Sequence, residues 1–168
     1  ALLALQVSNA VLEKFAIIYE TLEELAHSTQ VQNAAILNEI VREAGKNQNP
    51  RVVKAKENAQ KVRELTSTTL ASIEKLKKTM MSMSGTDKID EGLINDHSSK
   101  VATMMMSKPE GKEFEKLLND YVKQLTQLSG MEAKDFPTLA KPPKEIPAFA
   151  ANDKHANKNF LTFTFVNT

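Results

Sequence analysis

The sequence predicts an all-α protein, an antiparallel up-and-down helical bundle built on two long helices. A proline-rich extended arm and a short strand-like segment at the C-terminus complete it. Three observations carry this. Residues 1–43 repeat apolar side chains at helical steps, and residues 50–83 hold a seven-residue apolar repeat. The third is composition: 5 glycines and 5% aromatics in 168 residues, beside abundant Ala, Leu, Lys and Glu, favour helices over a sheet sandwich.

A chain of this length buries one core, so 1–168 reads as a single domain. A formal net charge of +1 provides no global electrostatic case for nucleic acid. The absence of cysteine excludes disulfides and thiolate metal sites. No run of 18 apolar residues occurs, and the opening lacks the basic n-region and cleavage site of a signal peptide.

The first helix is expected over Ala1–Glu43. One apolar row reads Leu5, Leu12, Phe15, Tyr19, Leu22, Ala26, then Ile36 and Ile40; a second reads Val11, Ile18, Leu25. Together they form a stripe broad enough to pack against two or more neighbours. Polar His27-Ser28-Thr29-Gln30 interrupts it and marks a place to bend. The opening Ala1-Leu2-Leu3-Ala4-Leu5 is apolar all round, so residues 1–8 read as the end of a transmembrane helix that begins upstream. The helix is expected to stop near Ala44-Gly45, with Gly45 suited to a C′ position.

Asn49-Pro50 signals the next start, Asn as N-cap and Pro at the first helical position. The seam of this second helix is Val52, Ala55, Ala59, Val62, Thr66, Thr69, Ile73, Leu76, Met80 and Met83. Two long helices joined by a short turn are antiparallel neighbours. Their charges agree: residues 1–43 carry two basic and six acidic side chains, residues 50–83 eight basic and three acidic. Such complementarity sets register more than stability.

Ser84-Gly85-Thr86-Asp87 ends the second helix. Ile89, Leu93, Ile94, Val101 and Met104–Met106 line one or two short helices before a further helix from Pro109 to about Ser129, closed by Gly130. Phe114, Leu117, Leu118, Tyr121, Val122, Leu125 and Leu128 share its apolar face. From 131 to 168 the chain reads as an extended arm, held out of helix by Pro137, Pro142, Pro143 and Pro147 and anchored by Phe136 and Phe149. In its last residues Leu161, Phe163 and Phe165 alternate with Thr162 and Thr164, a strand pattern. The chain is expected to continue into a further element beyond residue 168.

Candidate chemistry is thin. His27, His97 and His155 have no ligand spacing. Asp87, Asp90, Glu91, Asp96 and His97 fail the calcium-loop pattern and read as a solvated loop. Ser72-Ile73-Glu74-Lys75 matches an S-x-x-K motif by letter but lacks its partner motifs. Met80, Met81, Met83 and Met104–Met106 suit Cu(I) in principle, yet Met80 and Met83 fall on the seam, where methionine fills gaps. The basic second helix reads as a solvated face beside an acidic partner helix. No catalytic, cofactor or metal site is assigned, and enzyme activity is not expected.

The stretch Leu2-Leu3-Ala4-Leu5-Gln6-Val7-Ser8-Asn9-Ala10-Val11-Leu12-Glu13-Lys14-Phe15 resembles the junction between the transmembrane helix and the first periplasmic domain in the GldM/PorM family. These are the shaft subunits of the type IX secretion and gliding motor of Bacteroidetes. The pattern LLALxVSxxVLxxF is met by Leu2, Leu3, Ala4, Leu5, Val7, Ser8, Val11, Leu12 and Phe15, with Gln6 where Asn is more familiar. Weaker echoes lie in Ala59–Lys78, Pro109-Glu110-Gly111-Lys112 and Phe163-Thr164-Phe165.

The resemblance implies a non-enzymatic periplasmic domain anchored in the inner membrane of a Gram-negative bacterium. It also implies a homodimer whose membrane helices sit within a ring of GldL/PorL-type subunits, with downstream periplasmic and outer-membrane secretion components as further partners. Proton flow through that ring would move the shaft. Leu2, Leu3, Leu5, Val7, Val11, Leu12 and Phe15 would then be the membrane- and partner-proximal residues. Val52, Ala55, Ala59, Val62, Ile73, Leu76 and Met80 would be the bundle seam. The alternative is a periplasmic four-helix sensor that binds a small ligand and signals through a membrane helix. Arg42, Arg51 and Arg63, the only arginines, cluster near the first turn without an aromatic box.

Overall fold

A computed structural model describes residues 2–47, 49–85, 98–136, 138–151 and 157–166, with side chains from Ile17 onward. Every regular element among them is helical. Helix α1 spans Leu2–Lys46, α2 Pro50–Ser84, α3 Ser98–Ser107, α4 Pro109–Ser129 and α5 Phe160–Phe165, with 3₁₀ turns at Ala133–Asp135 and Pro143–Glu145.

Helix α1 is unbroken for 45 residues, about 67 Å at 1.5 Å per residue. His27–Gln30 does not interrupt it, and Gly45 stays helical rather than forming a left-handed cap. The turn is closed by side chains instead: Asn47 Oδ1 accepts from the Asn49 amide and Asn49 Oδ1 from the Arg51 amide, each at 2.9 Å. Pro50 opens α2 at a position whose N–H has no helical partner. Gly85 and Gly130, at φ 74° and 70°, end α2 and α4 in the left-handed region that favours glycine.

The long pair is antiparallel, as the Glu23–Lys77 and Gln30–Arg63 contacts show. It is not the core. Helix α2 packs most extensively on α4, which carries the apolar face expected of it. Thr66 and Tyr121 hydroxyls meet at 3.1 Å across that joint. Leu118, Ala140, Phe160 and Leu161 form the buried cluster, with Ile73, Phe114 and Phe165 against it. Each fully buried large apolar side chain there contributes about 1.5–3 kcal/mol.

The C-terminal strand expectation is overturned. Phe160–Phe165 is a short helix capped by Asn159, whose side chain accepts from the Thr162 amide at 2.8 Å. A strand needs a neighbour to share its backbone bonds, and none exists among the described residues. A helix satisfies its own and still places Phe160, Leu161 and Phe165 on the cluster. Between 131 and 151 the chain is built of 3₁₀ and other tight turns rather than a fully extended run. Ala140 and Pro143 are buried there, Phe136 is half-buried, and Phe149 meets Phe163 edge-on at 5.0 Å.

Candidate functional site: the lever helix

The register of α1 on α2 follows from two contacts. Glu23 Oε1 accepts from Lys77 Nζ at 2.7 Å, and Arg63 Nη1 donates to the Gln30 carbonyl at 3.5 Å. Extended to the end of α2, the two contacts set Ser84 level with α1 between about residues 9 and 16. At least residues 2–8 of α1, about two turns and roughly 10 Å of rod, therefore project past α2.

The Glu23–Lys77 contact is a small network. The Tyr19 hydroxyl donates to the same Glu23 carboxylate, and Lys77 Nζ lies 5.1 Å from the Tyr19 ring centroid. Glu74 approaches Lys77 at 3.8 Å. Hydrogen bonding from Lys77, then from Tyr19, lowers the Glu23 pKa. The bond to Glu23 raises that of Lys77 above its ordinary 10.5. Desolvation, with the bond to Glu23, raises that of Tyr19.

The signs define a pH window. Glu23 is depressed, so its contribution is present above pH 4.5 and is lost as pH falls through the lowered value. Lys77 is raised, so its contribution is complete below pH 10.5 and is lost only above it. We therefore expect the α1–α2 separation, read by a distance probe between positions 24 and 78, to stay constant from about pH 5 to 10. It should open in acid. Lys77→Met should abolish the acid transition while shifting Tm by at most a few degrees, because the Glu23 carboxylate is 55% exposed and screened by solvent.

Among the described side chains, most of the apolar stripe of α1 has no cover. Leu22 and Leu25 are 58% and 61% exposed, and Ile17, Ile18, Val31 and Ile36 are comparably open. The breadth of the stripe predicts two or more neighbours, yet α2 is its principal neighbour among the described residues. Nearer the turn, α1 and α2 flank a groove of about 760 Å³, with Leu128 and Ser129 of α4 lining part of it.

The sequence-predicted positions fall as follows. Leu2, Leu3, Leu5, Val7, Val11, Leu12 and Phe15 lie on the helical backbone of α1, their side chains outside the described set. Val52, Ala59, Val62, Ile73, Leu76 and Met80 are half-buried on α2, and Ala55 is exposed. Ala55, Ala59 and Val62 line the groove, whereas Ile73 packs on the core cluster, so the α2 row serves two different neighbours. His27 is exposed, and Ser72 Oγ donates to the Thr68 carbonyl one turn back, an ordinary helix-surface bond. Met104 and Met105 are 1% exposed. The acidic cluster 87–97 and His155 lie outside the described residues, and no group of three or more His, Asp or Glu converges among the rest. The sequence does not reveal the Tyr19–Glu23–Lys77 network: the i,i+4 spacing of Tyr19 and Glu23 hints at it, but Lys77 joins only through the register.

A family model of the GldM N-terminal domain matches residues 10–168. The chain belongs to this family. Among curated proteins and solved structures, none matches it significantly. Membership makes this GldM domain a component of the gliding and type IX secretion apparatus, a membrane-associated structural or motor part of that complex rather than an enzyme family. No helix among its described residues is long and apolar enough to cross a membrane.

Proposed function

We propose that the GldM domain is the base of a motor shaft. It transmits proton-motive-force-driven motion from an inner-membrane ring to periplasmic and outer-membrane machinery. The observation that carries this reading is the unbroken α1 from Leu2 to Lys46, tied through Glu23–Lys77 at the level of the bundle's core. A continuous helix passes torque that a flexible linker would dissipate. Residues 1–8 continue a membrane helix in this reading, and 131–168 hold the bundle closed as a wrapping arm.

The exposed row on α1 fits a second copy. Ile18, Leu22 and Leu25 fall on the alternating positions of a seven-residue repeat, the spacing of a parallel two-stranded pair. Two copies leaving one membrane run parallel, and pairing α1 with α1 doubles the rod. The alternative, a ligand-binding sensor, is not favoured by the family match.

The test is purification of the membrane-embedded protein with its genomic neighbours intact. Co-purification of a GldL/PorL-type ring is expected, and its consistent absence would sink the shaft reading. Leu22→Glu with Leu25→Glu should convert the dimer to monomer in sedimentation without unfolding it, because both positions are already solvent-exposed in the single chain. A double variant that stays fully dimeric would move the pairing surface elsewhere.

A further inference from the structure

We propose that the groove between α1 and α2 docks an acidic amphipathic helix of a partner protein. The groove follows α2 from Arg51 to Leu70, a span of about 28 Å and so about five helical turns. Its apolar lining includes Ile36 and Leu70, which are 54% and 40% exposed although they face inward along it. Ala55 and Ala59, one turn apart on α2, keep that wall low and permit close approach by another backbone.

Charge identifies the occupant. The ionisable side chains lining the groove are Arg51, Lys54 and Arg63, all cationic, with no carboxylate among them. None of the three has an ion pair among the described residues, whereas Arg42 and Lys46 just outside are engaged by Glu39 and Glu43. An apolar floor under a one-sign rim is complementary to a helix with leucine-type anchors at i, i+3, i+4 and i+7 and carboxylates on its flanks.

A second copy is the poorer occupant. Its own acidic stretch, Glu20, Glu23 and Glu24, lies toward the projecting end of α1. In a parallel pair that stretch faces residues of the same number, well below a groove that begins at Gln30. Only this exclusion rests on the shaft reading; the charge and shape of the groove do not.

The experiment titrates the full chain with a labelled 20-residue helical peptide carrying leucine at i, i+3, i+4 and i+7 and glutamate on the flanks. Its lysine-for-glutamate counterpart and decanoate micelles are run beside it. The acidic peptide should bind at least ten-fold tighter than the lysine form and weaken as salt rises. Arg51→Glu with Arg63→Glu should cost it a further ten-fold and transfer the preference to the lysine peptide. Equal binding of both peptides, binding of neither, or tighter binding of decanoate would overturn the proposal. So would conversion of a dimer to monomer by the peptide, which would assign the groove to pairing of copies. Ring co-purification is scored separately on the wild type, so absence of the ring there would remove the shaft reading and leave the peptide result to stand alone.

Discussion

Gly111→Ala is expected to destabilise the domain by about 3 kcal/mol, lowering Tm by about 6–12 °C in thermal unfolding. The sign is the informative part. Glycine inside a helix normally costs about 1 kcal/mol relative to alanine, so the replacement should stabilise. Here it cannot. An alanine Cβ at Gly111 would sit 1.8 Å from the Met105 carbonyl oxygen and 2.8 Å from its carbon, both backbone atoms. The close approach brings the end of α3 against the first turn of α4 while Met104 and Met105 are buried. Relief requires the two helices to separate, which exposes those methionines. Gly45 is the control: it is helical, and a Cβ added there would meet nothing within 4 Å. Gly45→Ala should therefore stabilise by roughly 0.5–1 kcal/mol. If both alanines stabilise, the α3–α4 corner is not packed as described.

A proline at Val7 or Ala10 is expected to abolish secretion and gliding while leaving the Tm of the bundle within a degree or two of wild type. Proline removes an i→i−4 hydrogen bond and clashes with the carbonyl four residues back, at a local cost of about 3 kcal/mol. Val7 lies in the stretch of α1 that runs past the end of α2 and Ala10 at its edge, so a kink there leaves the layers packed around Leu118 and Phe160 in place. Stability and function should therefore separate. Val7→Ala and Ala10→Leu, which keep the helix, should secrete normally. Wild-type secretion in the proline variants would refute rigid coupling through α1 and with it the mechanical role. Loss of both secretion and Tm would instead show that the first turns of α1 belong to the folded body.

The two kinds of expectation differ in what they draw on. The proline effect can be written from sequence, because a helix over residues 1–43 is readable from its apolar steps and from the absence of proline and glycine before Gly45. The Gly111 effect cannot. Its glycine sits in an ordinary Pro-Glu-Gly-Lys start, and only the crossing of α3 on α4 brings a carbonyl onto it. The strand pattern of Leu161, Phe163 and Phe165 fails for a related reason. Alternation describes which residues are apolar, but whether six residues form a strand depends on a neighbouring edge, which is a property of the rest of the fold. The stripe on α1 is readable; that α2 leaves most of it uncovered is not.

Local chemistry alone determined three helix boundaries and one packing order: Asn49 and Pro50 starting α2, Gly85 and Gly130 closing α2 and α4, and the antiparallel order that a three-residue turn enforces. These need only nearest neighbours along the chain, so the sequence carries them in full. Tertiary structure decided which faces are spent on the core and which remain for partners. Helix α2 turns toward α4 and the C-terminal helix at Ile73, and away from α1 along the cationic groove, because buried apolar area is a property of pairs of surfaces and no single stretch of chain contains both.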